Sequence, residues 1–229
     1  ISIINHMKQG ISALDLKKTN TNWTAYYETC SYTDQGFRQK ETQIEIWLRQ
    51  LHPGLTLDAG CNEGHFSMLA AQHSDYVLAI DNDSAVIQAF SSDPKLKAFP
   101  NILPLVMDIC NPSPSIGWAN QERKSFFSRL AKADLILALA LIHHLAIGNN
   151  LPLTEIAAFL SKHAKHLIIE FVPKEDTQVQ KLLITKKDTF THYSLEEFIA
   201  SFSDFFEIRE ESKAKDSGRV LFLMRSKHA

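Results

Sequence analysis

The chain has 229 residues, 45% of them hydrophobic and 22% charged, which suffices for one large α/β domain with its own core. Its formal net charge of -2, from 24 basic and 26 acidic residues, argues against a protein that mainly holds a nucleic-acid backbone. No apolar run approaches the roughly 18 residues of a membrane span, and we expect neither a signal peptide nor a membrane segment.

The first 37 residues are polar and aromatic and lack a clear period, so we interpret them as an N-terminal lid or cap. A helix is predicted from Arg38 to Leu51, where His52-Pro53-Gly54 ends it. Short apolar strands then alternate with helices. Strands are predicted at 55–59, 75–81, 101–108, 133–141 and 166–172, and helices at 64–73, 84–91, 119–131 and 153–163.

The last part of the chain has a different pattern. A helix is predicted over 195–202, and strands over 205–212 and 219–226 face each other across the KAKDSG connection. Residues 38–229 are therefore predicted to form one α/β domain. Its fold is a doubly wound, Rossmann-like, mostly parallel seven-stranded sheet that ends in an antiparallel C-terminal hairpin.

The stretch LDAGCNEGHFS links the first predicted strand to a helix, and Gly60 and Gly64 allow a tight turn there. Three successive strands end in an acid, at Asp58, Asp81 and Asp108. An acid at the end of the second strand is placed to bind both hydroxyls of a ribose. The dinucleotide fingerprint would need glycines at 62 and 65, but the chain has Asn62 and His65 there, so a NAD-dependent dehydrogenase is disfavoured.

The spacing D-x-G-x-N-x-G resembles motif I of the class I S-adenosylmethionine-dependent methyltransferases, and the resemblance runs from about Arg38 to the end. It implies S-adenosylmethionine as the cofactor. Asn62 departs from the motif, but asparagine tolerates a left-handed backbone and can keep the turn. The cofactor contacts that we infer from the resemblance, with the neighbouring N-terminal segment included, are Asp58, Gly60, Cys61, Asn62, Gly64, Asp81, Asn82, Asp108, Ile109, Ala138, Lys40 and Tyr32.

The resemblance implies that each strand end contacts a different part of the cofactor. Asp58 and the Gly60–Gly64 turn would line the methionine part, Asp81 the ribose, and Asp108 with Ile109 the adenine. The end of the fourth strand, around Ala138–Leu141, would border the methyl group. One of Tyr27, Tyr32 or Lys40 is expected to reach the cofactor from the N-terminal side.

Three longer stretches are similar to a bacterial methyltransferase-like family that is loosely labelled nodulation-related and has no settled substrate. They are NPSPSIGWANQER (111–123), ALALIHHLAIGNN (138–150) and IIEFVPKEDTQVQKLL (168–183).

His143 and His144 follow the fourth strand and are candidates for a general base, since a histidine titrates near neutrality. Packing or cofactor contact is the alternative role for both. A catalytic metal is not expected, because neighbouring side chains diverge and no acid immediately precedes the pair. For the methyl acceptor, the candidate contacts are Trp118, Arg123 and Glu170, whereas Arg219 and Lys186-Lys187 are interpreted as solvated charges.

The sequence thus predicts a methyltransferase that acts on an unidentified acceptor, most simply a small molecule. An RNA methyltransferase is an alternative that the near-neutral charge disfavours. Another is a non-catalytic, cofactor-binding module of a longer protein, since the chain begins at Ile1 and residues are expected upstream. The three cysteines form neither a zinc pattern nor a disulfide framework, which predicts a cytoplasmic location.

Overall fold

The computed structural model describes residues 2–14, 32–130, 132–184, 189–214 and 217–228. Its helices are α1 (Ser2–Ser12), α2 (Asp34–Leu51), α3 (His65–Ala71), α4 (Ser84–Ser92), α5 (Phe126–Leu130), α6 (Leu153–His163), α7 (Thr177–Ile184) and α8 (Leu195–Ser203). Its strands are β1 (Leu55–Ala59), β2 (Tyr76–Asp81), β3 (Ile102–Val106), β4 (Ala133–Ala138), β5 (Ala164–Phe171), β6 (Phe206–Lys213) and β7 (Val220–Ser226). Short 3₁₀ turns span Pro94–Ala98 and Trp118–Asn120, and a π-helical turn spans His144–Gly148.

The seven strands form one sheet in the order β3-β2-β1-β4-β5-β7-β6. The first five pair in parallel, and β7 pairs antiparallel with both β5 and β6. This confirms the predicted mostly parallel sheet with an antiparallel C-terminal hairpin. The direction of strand succession reverses between β1 and β4, and the crevice outside that point is where such sheets bind ligands.

Alternate residues of each central strand supply two hydrophobic cores. In β4, Ile136 belongs to one core and Leu135 and Leu137 to the other. Helices α5, α6, α7 and α8 cover the first face, while α2, α3 and α4 cover the second, where Trp47 and Phe90 are fully buried. Both faces are thus covered, so the central strands can be continuously apolar.

One predicted helix is wrong. In place of a helix over 119–131 the chain forms a 3₁₀ turn and the five-residue α5. Ile116 and Arg123 pair through two backbone hydrogen bonds of 3.0 and 3.1 Å, and Ala119 and Asn120 have φ values of 53° and 58°. A helix cannot pass through a left-handed turn of this kind.

The described part of helix α1 has no buried residue, and its apolar side chains are exposed. Residues 15–31 lie outside the described part of the chain, and with them Trp23, Tyr26 and Tyr27 of the predicted aromatic cluster. Among the helices that are described, none is both long and apolar enough to cross a membrane.

Candidate functional site

The turn from β1 to α3 contains three residues with a left-handed backbone: Gly60 (φ 76°), Asn62 (φ 49°) and Gly64 (φ 79°). Asn62 keeps the turn, as the sequence predicted, and its side-chain oxygen accepts a hydrogen bond from the Glu63 N–H at 2.7 Å. A Cβ on Gly64 would lie 2.1 Å from the ring of Phe90, so glycine is required there for packing as well as for its backbone.

Asp58 is the penultimate residue of β1 and Asp81 is the last residue of β2, and these two parallel strands end at the same edge of the sheet. Asp58 is buried and accepts a hydrogen bond from the Ser67 hydroxyl at 2.6 Å. Burial raises the pKa of Asp58 to about 7, and the nearby Asp81 adds to the rise, while Ser67 and Lys40 oppose it. The pKa of Asp81 is also raised by burial, although the backbone N–H groups of Asp83 and Asn62 donate to it at 2.9 Å each and hold it in place.

A cavity of about 220 Å³ opens in front of these strand ends. The sequence predicted seven residues of its wall, namely Gly60, Asn62, Asp81, Asn82, Asp108, Ile109 and His144. Six apolar residues complete much of the wall, namely Ile80, Met107, Leu139, Ala140, Leu141 and Leu145. The cavity therefore combines carboxylates at one side with a hydrophobic lining suited to a planar ring.

A second, smaller cavity of about 40 Å³ lies on the other side of the turn. It shares Gly60, Asn62, Leu139 and Ala140 with the larger one, so the two cavities adjoin. Its remaining wall residues are Tyr32, Phe37, Lys40, Asp58, Cys61 and Phe66. Four of these six, Tyr32, Lys40, Asp58 and Cys61, were predicted from the sequence.

Glu170 ends β5 and is fully buried beside the smaller cavity. It accepts hydrogen bonds from the Tyr32 hydroxyl, from the Lys40 ammonium at 2.5 Å and from Arg219 at 3.3 Å. Burial alone would raise the pKa of Glu170, but the two cations and the hydrogen bonds outweigh it and lower the pKa to about 2. Arg219 also donates to Asp176 at 2.8 Å.

This network corrects one prediction. Arg219 is not a solvated charge, since only 1% of it is exposed and it pairs with two carboxylates. Glu170 likewise contacts side chains of its own chain and lines neither cavity. A charged residue at the head of the apolar run RVLFLM was the signal that could have indicated a buried pair. Lys186 and Lys187 lie outside the described residues.

The two adjacent histidines differ in their surroundings. His144 lines the larger cavity, and burial lowers its pKa to about 4. His143 is 1% exposed and lines neither cavity, and burial, with His144 and Arg219 nearby, holds its pKa well below the usual range. Both rings are therefore neutral at neutral pH. The π-helical turn that carries His144 is a form found frequently at functional sites.

Besides Glu170 and His143, four further predicted site residues line neither cavity. Ala138 is buried in the core one residue before the cavity wall begins, and Gly64 contacts Phe90. Trp118 and Arg123 lie on the loop after β3, with Trp118 86% exposed, so they are not brought to the strand ends in this conformation. Leu139, Ala140 and Leu141 were predicted to end the fourth strand beside the methyl group. They line the larger cavity, but the strand already ends at Ala138. The left-handed Ala140 (φ 49°) instead turns the chain along the cavity.

Within the described ranges, no group of three or more His, Cys, Asp or Glu side chains is arranged to hold a metal ion.

Solved structures whose fold is similar to that of this chain include several methyltransferases. The N-methyltransferase NodS from Bradyrhizobium japonicum WM9 superposes with a TM-score of 0.61 at 16% identity, over 84% of this chain and 97% of NodS. The magnesium protoporphyrin IX methyltransferase ChlM from Synechocystis PCC 6803, solved with bound S-adenosylmethionine, gives a TM-score of 0.56 at 21% identity, over 83% and 80% of the two chains. A complex of the same NodS with S-adenosylhomocysteine gives a TM-score of 0.60 at 16% identity, over 90% of this chain and 100% of NodS.

The chain has the class I methyltransferase fold. No protein-family model matches the sequence. A curated relative, nodulation protein NoeA from Rhizobium meliloti (strain 1021), is 36% identical over 201 residues, which is 87% of this chain. The aligned part is 42% of NoeA, so the chain spans about two fifths of that relative. The predicted resemblance to methyltransferases of this fold, and to a nodulation-related protein, is confirmed.

Proposed function

We propose that this chain transfers a methyl group from S-adenosylmethionine to a small-molecule acceptor. The observation that carries the proposal is the pair of adjoining cavities at the strand-order switch. They share Gly60 and Asn62 of the turn, and Asp81 lines the larger cavity while Asp58 lines the smaller one. The solved relatives ChlM and NodS support it, since they share the fold and contain S-adenosylmethionine or its demethylated product.

The side chains present fit this cofactor. Asp81 has two backbone N–H groups fixing its carboxylate, whose remaining lone pairs can accept from two ribose hydroxyls. The apolar wall around Met107 and Ile109 suits adenine, with Asp108 as acceptor for its amino group. Asp58, Asn62 and Cys61 would bind the amino-acid end in the smaller cavity, which Tyr32 and Lys40 also line.

When bound, the cofactor supplies an electrophilic methyl group on a sulfonium. The protein's own part is to align the acceptor and exclude water, and the largely apolar residues 139–141 serve the second purpose. His144 is the better placed of the two candidate bases, because it is neutral and faces the larger cavity. Trp118 and Arg123 can contribute to acceptor binding only if their loop moves toward the cavities.

The acceptor is proposed to be a small molecule because the net charge is -2 and the cavity walls are mainly apolar. A cytoplasmic location and the division into a lid at 1–37 and a domain at 38–229 stay predictions.

The test is calorimetric titration of S-adenosylmethionine and S-adenosylhomocysteine into the intact protein and into Asp81→Ala. We expect micromolar binding that Asp81→Ala weakens by about a hundredfold, roughly 2.7 kcal/mol. The control is Asp204→Ala, which removes an exposed acid that lines neither cavity, and its affinity should match that of the unchanged protein.

Asp81 also accepts a hydrogen bond from the turn at Asn62, so thermal unfolding of each variant is measured alongside. Absence of binding to the unchanged, folded protein would refute the proposal.

A further inference from the structure

Glu170 accepts hydrogen bonds from side chains in two parts of the chain that are distant from it in sequence. Tyr32 precedes α2, Lys40 lies on α2 and Arg219 directly precedes β7, yet all three donate to this one carboxylate at the end of β5. Since Glu170 is fully buried and lines neither cavity, it does not itself face a ligand in this arrangement. Its effect on a ligand must therefore pass through the residues that it holds.

Two of those residues, Tyr32 and Lys40, are walls of the smaller cavity. The Lys40 ammonium lies 5.1 Å from the centre of the Tyr32 ring and 5.0 Å from that of Phe66, so two aromatic faces accompany the ion pair. Only 6% of Lys40 is exposed. A buried ammonium needs a compensating charge, and Glu170 supplies it.

Lys40 also acts on Asp58, an acid that lines the same cavity, and lowers its pKa. Two carboxylates, Glu170 and Asp58, therefore compete for one ammonium. With Glu170 ionised, Lys40 pairs with it. If Glu170 lost its charge, Asp58 would become the stronger partner, and a Lys40–Asp58 pair would occupy both groups that a ligand in this cavity could bind.

We propose that Glu170 is a positioning residue that holds Lys40 and Tyr32 against one wall of the smaller cavity and so keeps Asp58 available for a ligand. This inference rests on the proposed function. The ligand group concerned is the zwitterionic amino-acid end of the cofactor, whose ammonium would bind Asp58 and whose carboxylate would face Lys40. The adenosine end, in the larger cavity, does not depend on Glu170.

Two probes separate these ends. S-adenosylhomocysteine has both, whereas 5′-methylthioadenosine lacks the amino-acid end. We expect Glu170→Gln to weaken S-adenosylhomocysteine binding by about tenfold or more and to change 5′-methylthioadenosine binding by no more than about twofold, both measured by calorimetry.

The matched control is Asp176→Asn, which also converts a buried carboxylate partner of Arg219 to an amide. Asp176 lines neither cavity, so this variant should lose thermal stability but keep the ratio of the two affinities. A selective loss in Asp176→Asn equal to that in Glu170→Gln would mean that the network acts only by holding the fold, and would overturn the proposal.

Should Glu170→Gln fail to fold, Lys40→Met decides the question, because it removes the held ammonium and leaves Glu170 its contacts with Tyr32 and Arg219. The same selective loss is expected, and an unchanged affinity ratio would overturn the proposal. An unchanged protein that binds neither probe would instead refute the proposed function. If the unchanged protein binds both probes and Glu170→Gln weakens the two affinities equally, only the positioning role is refuted.

Discussion

At the scale of single residues, Asp58 is the carboxyl group whose ionisation should be felt by a ligand. Burial raises its pKa from 3.8 to about 7. Because the folded state then binds this proton more tightly than the unfolded state, the contribution of Asp58 to stability is fully present below about pH 4 and is lost as pH rises to about 7. A ligand ammonium beside Asp58 would favour the ionised form and recover part of that loss.

We therefore expect S-adenosylhomocysteine to bind more tightly as pH rises from about 6 to about 8, by roughly fivefold if the bound carboxyl titrates one unit lower. His144 does not interfere, because burial lowers its pKa to about 4. Titrations at three pH values measure the effect. Asp58→Asn should abolish the dependence, and 5′-methylthioadenosine, which has no ammonium, should show none. An unchanged slope in Asp58→Asn would mean that another group titrates.

Gly64 gives a prediction about stability. Gly64→Ala places a methyl group 2.1 Å from the Phe90 ring in a left-handed backbone (φ 79°), so both strain and overpacking oppose folding. We expect a loss of roughly 2–5 kcal/mol in the free energy of unfolding, measured by urea denaturation.

Gly218→Ala is the matched control for that change. Gly218 has a similar backbone (φ 62°), but its added methyl group would lie 3.5 Å from its nearest neighbour, Pro173. Gly218→Ala should lower the free energy of unfolding only through backbone strain, by about 1–2 kcal/mol. Equal losses in the two variants would show that the ring of Phe90 moves aside without cost.

At the scale of elements, the buried Arg219 joins β5 and β7 to the segment that contains Asp176. Arg219→Met would leave Glu170 and Asp176 without their shared cation. Because breaking a buried ion pair leaves uncompensated charge, we expect it to lower the free energy of unfolding by about 3–5 kcal/mol.

Arg225→Met is the control. Arg225 lies near the end of β7 that is distant from Arg219, and its side chain is exposed. It should change the free energy of unfolding by no more than about 0.5 kcal/mol. Chemical denaturation of both variants at one pH measures the difference, and similar small losses would contradict a structural role for the Arg219 pairs.

Most elements were predictable, because each carries a local signal. The first strand was predicted at 55–59 and is found at Leu55–Ala59, since apolar residues are followed there by a glycine turn. The start of α2 was missed by four residues, because Thr33 caps it by accepting from the Gly36 N–H at 3.1 Å. The helix predicted at 119–131 failed for another reason: its helical spacing of apolar residues did not reveal the backbone bridge between Ile116 and Arg123.

At the scale of the whole molecule, the sheet order puts the ends of β1, β2 and β4 side by side, and this brings Asp58, Asp81 and the 139–141 turn to adjoining cavities. The alternation of strands and helices predicts parallel strands, whose carboxyl ends meet at one edge of the sheet, so the carboxylate side of the site could be predicted. The Glu170 network could not, since long stretches of chain separate Glu170 from Tyr32 and Lys40 on one side and from Arg219 on the other.

The sequence by itself determined the sheet, its C-terminal hairpin, and the left-handed turn in which Asn62 stands for a glycine. These depend on hydrophobic period and backbone preference, which are properties of neighbouring residues. Only the tertiary structure decided that Arg219 and Glu170 are buried together, that His144 rather than His143 faces the cavity, and that Trp118 is exposed. Burial and ion pairing depend on segments that meet in space, and no local pattern records which segments those are.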